Sequence, residues 1–197
     1  MLRNGVTMER REIMPPAAKI SKQEILEVAF KILKDENLMA ITARRLAKEL
    51  NCSTHPIYQC FKNMDDLYDD LHTMAAQYFR SVVEKNMKAS NYPWLELGVS
   101  YVQMAYREKN IYRFLYVEQT RPISDIEEYI GNSDGKRFTT ELANNESWKQ
   151  RSNEDKEELH LMIRIFTQGL ASIANNCEKE LDEGQIRRLL ERSFEVF

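Results

Sequence analysis

A chain of 197 residues with 43% hydrophobic and 30% charged side chains is expected to bury a core and stay soluble, and its 6 Gly and 5 Pro favour helix over sheet. The net charge of −3 is unevenly spread: residues 1–62 hold 11 Lys/Arg against 7 Asp/Glu (+4), and residues 63–197 hold 17 against 24 (−7), so only the front suits a polyanion. Three cysteines without CxxC spacing (Cys52, Cys60, Cys177) argue against a disulfide framework or a zinc site and fit a reducing cytoplasm, and no apolar run nears the ~18 residues of a membrane span.

Residues 1–18, with Met14-Pro15-Pro16 near their end, carry no secretory pattern and read as a disordered arm. Ser21 then opens a helix, with Glu24 completing a capping box and Ile20 and Ile25 as the staple. Val28, Ala29, Ile32 and Leu33 continue its apolar face to about Lys34. Thr42 caps a second helix, 43–50, with Leu46, Ala47 and Leu50 on its apolar face. Asn51 follows in a tight turn, as one of the few residues besides Gly that tolerate a left-handed backbone. Ser53 is expected to cap a third helix, 54–61, with Pro56 in its first turn, and Asn63 a fourth that runs through Leu67, Leu71, Met74 and Tyr78. Asp65 and Asp66 suit the dipole of that fourth helix.

Beyond this, helices are expected from Trp94 to about Glu108, from Ile111 to Val117, from Glu154 to Asn176, and after Asp182 with Gln185 in its capping box. Short helices are also placed at 123–130 and 136–144, within a polar, turn-rich stretch.

Two short helices joined by three residues and framed by a helix on each side make a tri-helical helix-turn-helix. In the second of the pair, Ile57 and Phe61 lie one turn apart and can face a core, leaving Thr54, His55, Tyr58 and Gln59 outward. Those residue types bond phosphate oxygens or base edges. Arg44, Arg45, Lys48 and Lys62 surround them with positive charge. A helical hairpin packed for stability alone has the same pattern, so the residues by themselves leave both readings open.

The stretch from Ser21 to about Leu71 closely resembles the DNA-binding domain of the TetR family of repressors. The matching signature is Thr42, the run Arg44-Arg45-Leu46-Ala47-Lys48-Glu49-Leu50, a turn ending in Ser53, then Ile57, Tyr58 and Phe61, then the helix start before Leu67. The resemblance implies that Tyr58 binds phosphate and that outward residues of its helix read bases. The DNA-binding set is then Thr42, Arg44, Arg45, Thr54, His55, Tyr58, Gln59 and Lys62. The chain departs from the family at Asn51, where Gly is frequent, at His55, where a small residue is usual, and at Met64, where a phosphate-binding Lys is usual; Lys62 is the candidate stand-in.

Past residue 80, the segment Tyr101–Tyr116 looks like the floor of the family's ligand cavity, and the last two helices look like its dimer-forming pair. The resemblance implies an all-α protein with a helix-turn-helix domain at 1–66 and a helical ligand-binding and dimerisation domain at 67–197. It further implies a cytoplasmic repressor, without metal or cofactor, that binds a palindromic operator in double-stranded DNA as a homodimer and is released by a small-molecule effector. Tyr101, Met104, Tyr112, Tyr116 and Phe166 are placed in the pocket. Met162, Phe166, Leu170, Ile186, Leu190 and Phe194 are placed in the dimer interface, although plain monomer core accounts for such residues equally. Two alternatives are a protein-interaction module with DNA binding weakened at Met64, and a helical enzyme. For the enzyme no residue set is found: His55, His72 and His160 are scattered, and no nucleophile elbow, P-loop or dinucleotide fingerprint occurs.

Overall fold

The computed structural model describes residues 20–88, 90, 92–118 and 151–196; the leader and the expected helices at 123–130 and 136–144 lie outside them. Several helices begin where a side chain can satisfy their orphan N–H groups. Ser21 Oγ accepts from the Glu24 N–H (3.2 Å) while the Glu24 carboxylate accepts from the Ser21 N–H (2.7 Å), which holds that carboxyl below its ordinary pKa and starts α1 (Lys22–Asp35). A 3-10 turn (Leu38–Ala40) leads to α2 (Ala43–Glu49), capped by Thr42 Oγ1 on the Arg45 N–H at 3.1 Å. Asn63 Oδ1 takes the Asp66 N–H at 2.8 Å at the head of α4 (Met64–Lys88).

The third helix, α3 (His55–Cys60), departs from expectation and is one residue shorter at each end. Thr54, not Ser53, is its N-cap and makes no side-chain cap bond, while Ser53 Oγ accepts from the His55 N–H at 3.4 Å. The remaining helices are α5 (Pro93–Arg107), α6 (Lys109–Tyr116), α7 (Asn153–Asn176) and α8 (Glu183–Val196). A capping box between Ser152 and Asp155 starts α7, and Asp182 Oδ1 receives the Gln185 N–H at 2.9 Å ahead of α8. Among the described residues there is no strand.

Two larger apolar cores organise these helices, beside a small cluster in which Leu159 and Ile163 of α7 meet Leu97 and Phe194. The first joins Ile25, Ala29 and Leu33 of α1, Leu46 of α2, Ile57 and Phe61 around α3, and Leu67 and Leu71 of α4. It runs on without a break through Phe79, Val83 and Met87 to Met104, Ile111, Phe114 and Leu115. The second surrounds α5: Leu95, Val99, Val102 and Ala105 meet Tyr112, Ala171, Ala174, Ile186 and Leu190. Gly98 permits the approach of α8, since a Cβ there would lie 3.0 Å from Leu190 Cδ1.

Between α5 and α6 the chain turns at Glu108, and this joint is gripped from two sides. On one side Glu108 Oε1 accepts from Lys34 Nζ at 2.7 Å and from Tyr78 Oη at 2.8 Å, while Asn110 Nδ2 donates to the Lys34 carbonyl at 3.1 Å. Glu108, then Tyr78, hold the Lys34 pKa above its ordinary value. On the other side buried Asn175 of α7 donates to the Ala105 carbonyl at 2.8 Å and accepts from Arg113 Nε at 2.9 Å.

His160 on α7 is 2% exposed, and burial, then the charge of Arg164, push its pKa down to about 4. An unfolded histidine binds a proton near 6.5, so over the window from 6.5 down to about 4 the unfolded state holds more protons and folding stability falls with falling pH. Urea titrations across that window should show this loss, and a His160→Gln variant should show a smaller pH dependence.

Candidate nucleic-acid interface

The turn between α2 and α3 sets the angle at which α3 is presented. Asn51 has φ 51°, the only non-glycine residue with positive φ among those described. Its N–H donates to the Lys48 carbonyl (3.2 Å) and the Cys52 N–H to the Ala47 carbonyl (2.9 Å), the two bonds of a Schellman motif. Ile57 and Phe61, each 1% exposed, then seat α3 on the first core. Tyr68 Oη reaches over to the Ile41 carbonyl at 2.9 Å and ties α4 to the entry of α2.

With α3 so seated, His55, Gln59 and Lys62 are exposed, Tyr58 is 52% exposed, and Thr54 is half-buried. Arg44 and Lys48 are exposed on α2, as is Thr42, whose hydroxyl oxygen caps Arg45 and whose O–H can still donate. The Lys62 backbone is fixed by its N–H to Asp66 Oδ2 at 3.0 Å. His55 and Gln59 contact one another, Nε2 to Nε2, at 3.0 Å.

Arg45, expected in the DNA-binding set, is engaged within the chain. Its guanidinium is held by Glu36 at 2.7 Å and Glu49 at 2.8 Å, which raise its pKa in that order and fasten α2 to the end of α1. A cation already bonded to two carboxylates is a poor phosphate ligand, so the outward positive charge falls to Arg44, Lys48 and Lys62. Met64, where the TetR-like pattern has a lysine, packs half-buried against the first core.

In the helical half, Tyr101, Tyr112 and Tyr116 are brought together ring to ring, with Phe79 edge-on to Tyr101 (5.4 Å) and Tyr116 (5.7 Å). Gln168 bridges them, accepting from Tyr101 Oη and donating to Tyr112 Oη at 2.9 Å. Phe166 packs half-buried on the same core, whereas Met104 belongs to the first core. Sequence reasoning missed a polar seam on α5, where Glu96, Ser100 and Gln103 are buried and Glu96 and Gln103 line a cleft of about 570 Å³. Glu96 there pairs with Arg187 at 2.6 Å, and Gln103 donates to Glu183 at 3.0 Å.

Of the six residues expected at a dimer interface, Met162 is exposed and the others pack to differing degrees on their own chain. Ile186 (1% exposed) and Leu190 (2%) are core of their own chain, Phe166 and Leu170 lean on that core, and Phe194 packs on Trp94 with ring centroids 4.2 Å apart. Among the described residues, the large apolar side chains exposed on α7 and α8 are Met162, Ile165, Ile173 and Leu189. Gly169 lies between Ile165 and Ile173 with open space where its Cβ would be. Among the described residues no three His, Cys, Asp or Glu side chains converge as for a metal ion, and no helix is long and apolar enough to cross a membrane.

A helix-turn-helix headpiece on a helical body is the fold of TetR/AcrR-type transcriptional regulators. The chain is similar to a solved structure from Aquifex aeolicus VF5 described as a transcriptional regulator of the TerR/AcrR family, with a TM-score of 0.55 and 16% identity. The match covers 89% of this chain and 98% of that one. No protein-family model matches the sequence, and no curated protein matches it.

Asn51 is the local test of this interface. Asn51→Ala should cost about 1 kcal/mol, because a left-handed backbone penalises a Cβ without a compensating polar side chain, and Asn51→Gly should cost little. Thermal denaturation of the two variants checks this order.

Proposed function

We propose that the protein is a transcriptional repressor that binds a palindromic operator in double-stranded DNA as a homodimer and is released by a small molecule. The observation that carries this reading is the outer face of α3. It offers His55, Tyr58 and Gln59 above a buried Ile57 and Phe61, beside Arg44, Lys48 and Lys62, on a regulator fold. Residues 1–66 read DNA and 67–197 respond and dimerise. The protein works in the cytoplasm and needs no catalytic group. Tyr58 and Lys62 hold phosphate, while Thr54 and Gln59 face base edges.

The partner copy docks on Met162, Ile165, Ile173 and Leu189, where Gly169 lets two helices come close. An apolar or aromatic effector with a polar group would part the tyrosine cluster and take over the bonds of Gln168. Tyr112 and Tyr116 lie on α6, so movement there reaches the Glu108 joint and, through Lys34, the headpiece. Release follows if the effector favours one arrangement of the joint over the other. A second reading, a protein-interaction module on the same fold, is favoured by Met64, whose side chain packs on the core.

Fluorescence anisotropy on duplex DNA across several salt concentrations separates the two. The repressor reading expects binding that weakens steeply with salt, and a Lys62→Ala variant should lower the salt slope by roughly one unit on every sequence. Salt-insensitive or absent binding would favour the second reading.

Dimerisation is checked by analytical ultracentrifugation. Ile165→Glu should raise the dimer dissociation constant roughly 30-fold or more, the ~2 kcal/mol of an interface hot spot, while leaving the fold intact. Leu190→Glu should unfold the chain instead, since it places a charge in the second core.

A further inference from the structure

His55 and Gln59 lie one turn apart on α3, both exposed, with their side-chain nitrogens 3.0 Å from one another. An amide Nε2 carries two hydrogens and accepts none, so in this contact it is the donor. His55 Nε2 is then the acceptor, a role it fills in the tautomer that carries its hydrogen on Nδ1. In this arrangement the amide nitrogen lies toward the ring. One N–H of Gln59 is engaged by His55, leaving one N–H and Oε1, the donor and acceptor that glutamine offers to N7 and N6 of adenine. Turned over, with Oε1 toward the ring, the amide would present two N–H groups outward. Two donors suit N7 and O6 of guanine and clash with the amino group of adenine.

The base that Gln59 accepts thus depends on its amide orientation, and the side chain that touches the amide nitrogen is His55. An unsupported glutamine on a helix surface would also have to order its side-chain torsions on binding, a cost that a preformed contact reduces. We propose that His55 is a positioning residue, which holds the Gln59 amide in the orientation that reads adenine in the major groove and does not itself read a base. His55 and Gln59 then act as one reading unit. The proposal rests on the reading of this protein as a DNA-binding regulator.

The test is a selection from randomised duplexes with the full-length protein, followed by anisotropy on the selected duplex and on single-base-pair variants of it. Wild type, His55→Ala, Gln59→Ala, the double variant and His55→Asn are compared. Wild type should prefer adenine at one position of each half-site by roughly tenfold. Gln59→Ala should erase that preference, His55→Ala should erase most of it at the same position, and the double variant should lose no more than Gln59→Ala. His55→Asn, whose Oδ1 can accept the amide N–H, should restore the preference. All variants should keep the wild-type salt slope on scrambled DNA, because no phosphate contact has been removed. Relaxation at a different base position, losses that multiply in the double variant, or an unchanged preference in His55→Ala would each overturn the positioning role while leaving DNA binding intact. Absence of salt-dependent binding by wild type to any duplex would overturn the DNA-binding reading and this inference with it.

Discussion

The carboxylate of Glu108 is where three parts of the protein meet. It sits at the turn between α5 and α6, accepts from Lys34 at the end of α1, and accepts from Tyr78 in the middle of α4. An exposed ion pair would contribute little. Glu108, however, has only 15% of its side chain exposed, accepts two hydrogen bonds, and lies where Phe30 stacks edge-on against Tyr78 at 5.3 Å. Breaking one contact strands a poorly hydrated carboxylate, so the three elements move together or at a cost. The seating of the headpiece relative to the α5–α6 joint follows from that condition.

Asn175 gives the same joint a second holder. Its amide takes the carbonyls of Ala105 and Lys109, and Lys109 Nζ reaches the Cys177 carbonyl at 2.9 Å. The helix that exposes Met162, Ile165 and Ile173, α7, is thereby bonded to the turn that Lys34 holds from the other side. This continuous set of polar contacts is a physical route between the helical half and the headpiece. It carries a signal only if the joint has two arrangements that a ligand distinguishes.

Much of the headpiece was legible in the sequence because its determinants are local. The Ser21–Glu24 box, the Thr42 cap and the left-handed Asn51 each depend on residues within one turn. The outward face of α3 was also legible, since Ile57 and Phe61 fix which side is buried. The ion pair of Arg45 with Glu36 was not legible, because Glu36 stands nine residues away across a turn. The packing of the last two helices was not legible for a different reason. The last two helices are apolar on more than one side, and periodicity cannot say which stripe meets the chain's own core; the core took Ile186 and Leu190 and left out Ile165, Ile173 and Leu189. The Glu108 joint had no local signature at all, with contacts to residues 74 and 30 positions away.

The first core does not stop at the end of the helix-turn-helix. Leu67 and Leu71 close it under Ile57 and Phe61, and the same packed surface passes down α4 to Ile111 and Phe114 of α6. A headpiece cut after residue 66 would lose the side chains that fill its own floor. The α3 helix is therefore not a portable cartridge. A chimera that borrows its outer face must carry with it the inner face of α4 and the face of α6 that receives it, or evolve a matching pair anew. That outer face and the helices that seat it are inherited as one piece of packing.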